Sequence, residues 1–206
     1  MTAVLILERH ALDEVVEIPA SVQRSDGTNA GLQSGGQYTV EDLLAALLIA
    51  SANDAADVLA AYSSGTAEEF VRAMNVRAKV MGLTDTAFKN PSGLDAAGQF
   101  STPRELAWLT SYALKNPTFR ELVKSTTWEI RDRRSGHVTG LANTNRLLKR
   151  SPFVKGVKTG TTEEAGECLI SLVEWNGREV IVVLLRSSNR YRDSQLVLQE
   201  LSRVVL

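Results

Sequence analysis

Lys158, Thr159 and Gly160 form a short run whose residue types suit the holding and polarising of an acyl group. A lysine on a strand beside a cleft places fixed positive charge where a carboxylate, or a serine shedding its proton, would be stabilised. The Thr159 hydroxyl can bond that carboxylate, and Gly160 leaves no side chain to block close backbone approach. The next residue, Thr161, would offer its N–H as half of an oxyanion hole. Beyond it, the strand edge can pair with an extended peptide. A surface lysine followed by a turn glycine would read the same way in isolation, so a second element is needed. Ser51-Ala52-Asn53 supplies it, at the junction of two helical patterns. Serine and asparagine there serve ordinarily as caps. Paired with a nearby cationic lysine, Ser51 becomes a proton relay to a leaving amine, and Asn53 a group that orients an amide and holds a lysine. No serine in the chain is followed by lysine at the third position, so a Ser-x-x-Lys nucleophile motif is absent from these residues.

The elements that must position these groups are legible from caps and periodicity. Residues 3–7 read as helical. Thr39 with Asp42 has the form of a capping box, followed by one apolar stripe of Val40, Leu43, Leu44, Leu47 and Leu48. Residues 55–61 predict a second helix whose small side chains permit close packing. Thr66 with Glu69 starts a third, ending at Gly82. Thr102-Pro103-Arg104-Glu105 starts a fourth, with helix to Leu114 and a stop at Pro117. Strands are expected at 15–18 and 126–131. The clearest unit is 167–175, Asn176-Gly177, then 178–186, because Asn-Gly between apolar runs is a hairpin signal. Residues 180–185 are apolar in succession, which predicts burial on both faces of that strand. Residues 193–206 return to helical spacing. Helices in the middle and an antiparallel sheet towards the end predict an α+β fold. No repeat, low-complexity tract or linker interrupts the chain, so 1–206 is expected to form one domain.

Composition narrows the function. The 206 residues are 44% apolar and 23% charged, with net charge −1 and no basic block, which argues against a nucleic-acid partner. Cys168 is the only cysteine, so a disulfide framework and a cysteine-rich metal site are excluded. Its apolar neighbours predict a buried, inert thiol. His10 and His137 are the only histidines and give a Ser-His-Asp triad little to build on. No metal or cofactor is expected. No apolar stretch approaches the roughly 18 residues of a membrane span. Met1 enters the first helical run directly, without a basic leader or cleavage site, and is expected to follow a lost N-terminus.

Longer stretches carry a resemblance to a known family. Tyr38-Thr39-Val40-Glu41-Asp42-Leu43-Leu44 leads into Ala50-Ser51-Ala52-Asn53-Asp54-Ala55-Ala56. Asn90-Pro91-Ser92-Gly93-Leu94-Asp95 is followed by Ser101-Thr102-Pro103-Arg104-Glu105-Leu106-Ala107. Asn143-Thr144-Asn145-Arg146-Leu147-Leu148, Gly156-Val157-Lys158-Thr159-Gly160-Thr161-Thr162 and Ala165-Gly166 complete the set. In this order they resemble the D-alanyl-D-alanine carboxypeptidases, the low-molecular-mass penicillin-binding proteins of serine peptidase family S11. The resemblance implies the transpeptidase-like fold shared with serine β-lactamases. It also implies attack by a serine on the carbonyl between two terminal D-alanines of a peptidoglycan stem peptide, through an acyl-enzyme. Carried across, Ser51 is the proton-relay serine, Asn53 its companion and Lys158 the carboxylate-side lysine, with Thr159, Gly160 and Thr161 lining the substrate. β-Lactam antibiotics are ligands of the intact family, and its location is the cell envelope. Met1-Thr2-Ala3 resembles the residues that follow the family's Ser-x-x-Lys, so nucleophile, lysine base and N-terminal strands would precede residue 1. No C-terminal β-rich domain or membrane anchor is visible.

The expected function is therefore a serine-type D-Ala-D-Ala carboxypeptidase domain, inactive as written. One alternative is a non-catalytic protein that binds stem peptides through the Lys158 cleft, since recognition and bond cleavage use different groups. A serine β-lactamase is the other. Its Glu-x-x-x-Asn element is missing, and Ala52 stands where such enzymes usually carry Asp.

Overall fold

The structure is a computed structural model and describes residues 1–20 and 26–203. Its helical part begins with α1 (Thr2–Arg9) and continues after two short paired strands, β1 (Val15–Glu17) and β2 (Gln37–Thr39). Helix α2 (Val40–Leu48) starts at the expected capping box: Thr39 Oγ1 accepts from the Asp42 N–H, and the Asp42 carboxylate accepts from the Thr39 N–H. Its apolar stripe is wider than periodicity alone implied, because Leu43, Leu44, Ala45 and Ala46 are all fully buried. A helix apolar on nearly every side belongs in the centre of a fold. Helix α3 (Asn53–Ser64) brings Ala55, Ala56 and Ala60 against it, and the lack of bulk lets the two backbones approach. Helices α4 (Ala67–Val80) and α5 (Pro103–Ala113) begin at Thr66 and Thr102, each accepting from the N–H three residues on.

Helix α5 ends at Ala113, ahead of Pro117 as expected, but Pro117 also starts a helix that was not expected. Asn116 caps α6 (Pro117–Lys124), and proline at the first helical position costs nothing because its missing N–H would have been unpaired. A hairpin follows, β3 (Thr127–Arg131) with β4 (Val138–Ala142), then the single turn α7 (Leu147–Arg150).

The main sheet is antiparallel in the order β5-β6-β7, made of β5 (Val154–Thr162), β6 (Gly166–Trp175) and β7 (Arg178–Ser187). The hairpin turn is where it was expected. Asn176 and Gly177 have φ of 49° and 73°, the paired positive values that a two-residue turn of this hand needs. In β5, Gly156 has φ of 137°, and a Cβ there would lie 3.0 Å from the Val123 carbonyl oxygen of α6. Glycine thus allows the sheet to close on that helix. The core packs α1, α2, α3 and α4 together with Ile130, Val157 and Leu172 of the strands.

Two expectations are corrected. Residues 180–185 are only half-buried, because β7 is paired on one side and lies at the sheet edge. Cys168 is also half-buried, with Sγ 3.6 Å from the Ala165 carbonyl oxygen, rather than sunk in the core. Its strand position puts it opposite Gly160, at the open end of the sheet. The C-terminal helix α8 (Arg190–Arg203) begins three residues before the expected 193, and residues 204–206 of that reading lie outside the described residues. Among the described residues no helix is long and apolar enough to cross a membrane.

Candidate active site

The cleft lies where strand β5 meets the α2–α3 junction. Its volume is about 670 Å³, and Ser51, Asn53, Lys158, Thr159, Thr161 and Arg190 are among the residues that line it. Lys158 and Ser51 are 107 positions apart in sequence, yet Lys158 Nζ donates to Ser51 Oγ at 2.5 Å and to the Thr159 carbonyl at 2.8 Å. Burial, and secondarily the charge of Arg190, lower the Lys158 pKa from 10.5 to about 8. An ammonium of that acidity remains charged near neutrality but gives up its proton readily, which suits transfer through a neighbouring hydroxyl.

Ser51 is not a helix cap. Ala52 occupies that position and makes no side-chain cap bond. Ser51 itself lies at φ of 59°, a left-handed conformation that costs a non-glycine residue on the order of 1 kcal/mol. Neighbouring backbone bonds hold it there: the Ala52 N–H donates to Ala46, and Thr144 donates to Ile49, on either side. In this conformation the hydroxyl accepts from the Lys158 ammonium.

Asn53 ties the cleft wall in place. Its N–H donates to the Thr28 carbonyl at 2.8 Å and its Nδ2 to the Asp26 carbonyl at 2.6 Å. A Cβ at Gly27 would sit 3.0 Å from that Nδ2, and Gly27 has φ of 80°, so glycine is doubly suited there. The neighbouring Asp54, 2% exposed, accepts from the N–H groups of Ala30, Gly31 and Leu32 and so anchors the same segment. Sequence reading passed over Asp54, because a carboxylate in the first helical turn looks like an ordinary dipole partner.

Thr159 Oγ1 pairs with Thr144 Oγ1 at 2.6 Å, which links strand β5 to the segment after β4. Gly160 is exposed, and a Cβ there would meet only the Cys168 Cβ, at 3.8 Å. Packing does not demand glycine at this place; the space beside it is the open cleft.

Arg190 is the main residue that the sequence reading missed. Only 7% exposed, it donates from Nη1 to the carbonyls of Gly160 (2.8 Å) and Cys168 (2.9 Å), and from Nη2 to Thr161 Oγ1. Glu167 balances its charge, with Oε2 3.3 Å from Arg190 Nε. The Arg190 N–H and guanidinium in turn hold the Glu167 carboxyl below its usual range. No sequence pattern separated this arginine from Arg186 or Arg192, since its role depends on the fold laying the start of α8 against the end of β5.

The two histidines take no part. His10 pairs with Glu14 at the other end of α1, and His137 is exposed in the β3–β4 turn. Among the described residues no cluster of histidine, cysteine and carboxylates is arranged to hold a metal ion.

Comparison with known proteins identifies the family and the fold. The sequence profile of the peptidase S11 family, described as D-alanyl-D-alanine carboxypeptidase, matches residues 1–189. The chain is 37% identical over 204 residues to the D-alanyl-D-alanine carboxypeptidase DacF of Bacillus subtilis, covering 95% of this chain and 52% of that protein. It is 39% identical over 164 residues to DacC of Escherichia coli, covering 78% and 40% respectively. It therefore spans about half the length of these curated relatives. The crystal structure of the Streptomyces K15 DD-transpeptidase superposes with a TM-score of 0.88 at 31% identity, over 96% of this chain and 83% of that one. The α+β fold of the penicillin-recognising enzymes is thus present here, and the chain belongs to the peptidase S11 family of D-alanyl-D-alanine carboxypeptidases.

Proposed function

We propose that the cleft receives the D-Ala-D-Ala end of a peptidoglycan stem peptide in the cell envelope, and that the 206 residues supply recognition and proton relay but not the nucleophile. The observation that carries this reading is the 2.5 Å bond from Lys158 Nζ to Ser51 Oγ. A lysine of lowered pKa bonded to a serine can pass a proton to the departing amine of the terminal D-alanine. Asn53, fixed by the loop at residues 26–28, orients the peptide amide. The exposed edge of β5 offers backbone groups to the extended peptide.

The carboxylate of the last D-alanine is held at the Thr161 end. Two of the three Lys158 donors are engaged by Ser51 and Thr159. Arg190 places a second cation beside Thr161. Charge recognition is therefore shared, with Arg190 nearer the carboxylate and Lys158 nearer the reacting bond. A non-catalytic role in stem-peptide binding is the second reading, since recognition and bond cleavage use different groups.

Titration of the protein with an acyl-D-Ala-D-Ala peptide, free or amidated at its C-terminus, tests the recognition both readings share. The free acid is expected to bind roughly tenfold or more tightly than the amide, as expected for hydrogen bonds to a charged group. Arg190→Ala should remove most of that difference. Equal affinity of the parent protein for acid and amide would overturn the assignment.

A further inference from the structure

A second pocket opens between the start of β3 and the turn α7. Its volume is about 250 Å³, and its lining is Thr126, Asn143, Asn145, Arg146, Lys149 and Arg150. Three of the six residues are cations and none is an acid. Arg146, Lys149 and Arg150 form no ion pair among the described residues. The charge of Arg146 reaches Glu167 only through space, and its guanidinium lies 5.9 Å from the Tyr191 ring centre. Like charges gathered without a counter-charge repel one another, which is a cost unless something else repays it.

A second observation, independent of charge, singles out the same pocket. Asn145 is 2% exposed, and its Nδ2 has no hydrogen-bond partner. The orientation of this amide is fixed by its other end, because Oδ1 accepts from the Leu147 N–H at 3.0 Å and only an oxygen can accept there. The idle group is therefore a donor. Asn143 is fully used by contrast, with Nδ2 on the Ser125 carbonyl and Oδ1 on the Asn145 N–H. A buried donor left unpaired costs about 1–3 kcal/mol, so a site that keeps one beside three unpaired cations has the composition of an anion receptor.

We propose that this pocket binds a dianionic phosphate group, with Asn145 Nδ2 as its neutral donor and Arg146, Lys149 and Arg150 as its cations. Guanidinium and ammonium donors converging from separate side chains match a tetrahedral oxyanion, and three positive charges are better balanced by a dianion than by a single carboxylate. The cationic side chains are exposed and make no ion pair, so they can turn in over an anion in the pocket. Arg146 also lines the peptide cleft. An occupied phosphate site would therefore draw its charge away from the cleft and couple the two sites. Free and esterified phosphate share this chemistry, and the probes below separate the two sources.

The test is calorimetric titration of the 206-residue protein at about pH 8 with inorganic phosphate and with glycerol 3-phosphate, at constant ionic strength set by chloride. Side-chain amide resonances of Asn145 are followed in parallel. Saturable binding that shifts the Asn145 amide is expected. Asn145→Asp keeps the acceptor for Leu147 while opposing the anion, and should weaken binding by at least about tenfold. The exposed pair Lys149→Ala/Arg150→Ala should weaken it further without lowering the melting temperature. Tighter binding of glycerol 3-phosphate would identify an esterified occupant, and tighter binding of inorganic phosphate a free one. Absence of saturable binding, or binding unchanged in both variants, would overturn the proposal.

Discussion

At Ser51, backbone strain and the bond to Lys158 meet in one residue, and they can be separated by substitution. The positive φ of 59° favours glycine, while the bond to Lys158 needs the hydroxyl. Ser51→Ala keeps the strain and loses the bond, so it should lower stability by about 1 kcal/mol. Ser51→Gly loses the same bond but relieves the backbone, and should be more stable than the alanine variant by roughly 1 kcal/mol. Denaturant unfolding of the three proteins measures the order. Should alanine prove as stable as glycine, the strain assigned to this residue is absent. The hydroxyl at 51 and the lysine at 158 were both recognisable by type in the sequence. Their joint placement was expected only from the two motifs read together as one site, because no local pattern reports a contact across 107 positions. Arg190 was illegible for the same reason, and more completely, since an arginine at a helix start resembles any solvated surface charge.

Elements were most legible where local chemistry fixes them. The Thr39–Asp42 box, the Thr66 and Thr102 caps and the Asn176-Gly177 turn each rest on bonds or dihedrals made within a few residues. At Pro117 the end of α5 was legible but the start of α6 was not, because proline stops one helix and starts another equally well, and only Asn116 ahead of it signals the start. Residues 180–185 misled because an unbroken apolar run describes a buried strand and a half-covered edge strand alike. The β3–β4 turn shows how one side chain can tie elements together. Asp132 accepts from the N–H groups of Gln37 and Arg134 and from the Ser135 hydroxyl, joining this hairpin to β2. Those bonds lower its pKa from 3.8 to about 2. A depressed carboxyl pKa adds stability above the unfolded value, and that contribution disappears as pH falls through the folded value. Stability should thus drop between about pH 4 and pH 2, and Asp132→Asn should be less stable at pH 6 but flatter across that acid window. Thermal melts of the two proteins over this range would show it; parallel curves would mean that Asp132 is not the titrating group.

For the whole molecule, recognition and bond cleavage are expected to come apart. The 206-residue protein should bind stem peptide but form no covalent adduct with benzylpenicillin, because removal of a nucleophile leaves only binding and oxyanion stabilisation. Intact-mass measurement after incubation decides this, and a stoichiometric adduct on Ser51 or any other serine would reject it. The span of the cleft has a further consequence for how the protein is made. Its walls are drawn from Gly27 at one extreme and Tyr191 at the other, in a chain of 206 residues. A ribosome delivering the chain from its N-terminus releases α2 and α3 early, and they can pack as soon as they emerge. Ser51 then waits, already turned into its strained conformation or free to relax from it, until β5 arrives with Lys158. The Arg190 guanidinium emerges later still, after the whole of β5 and β6. A chain that stalls before residue 190 would therefore carry the packed helices α1 to α6 but lack the Arg190 bonds to Gly160, Cys168 and Thr161 that close this wall of the cleft.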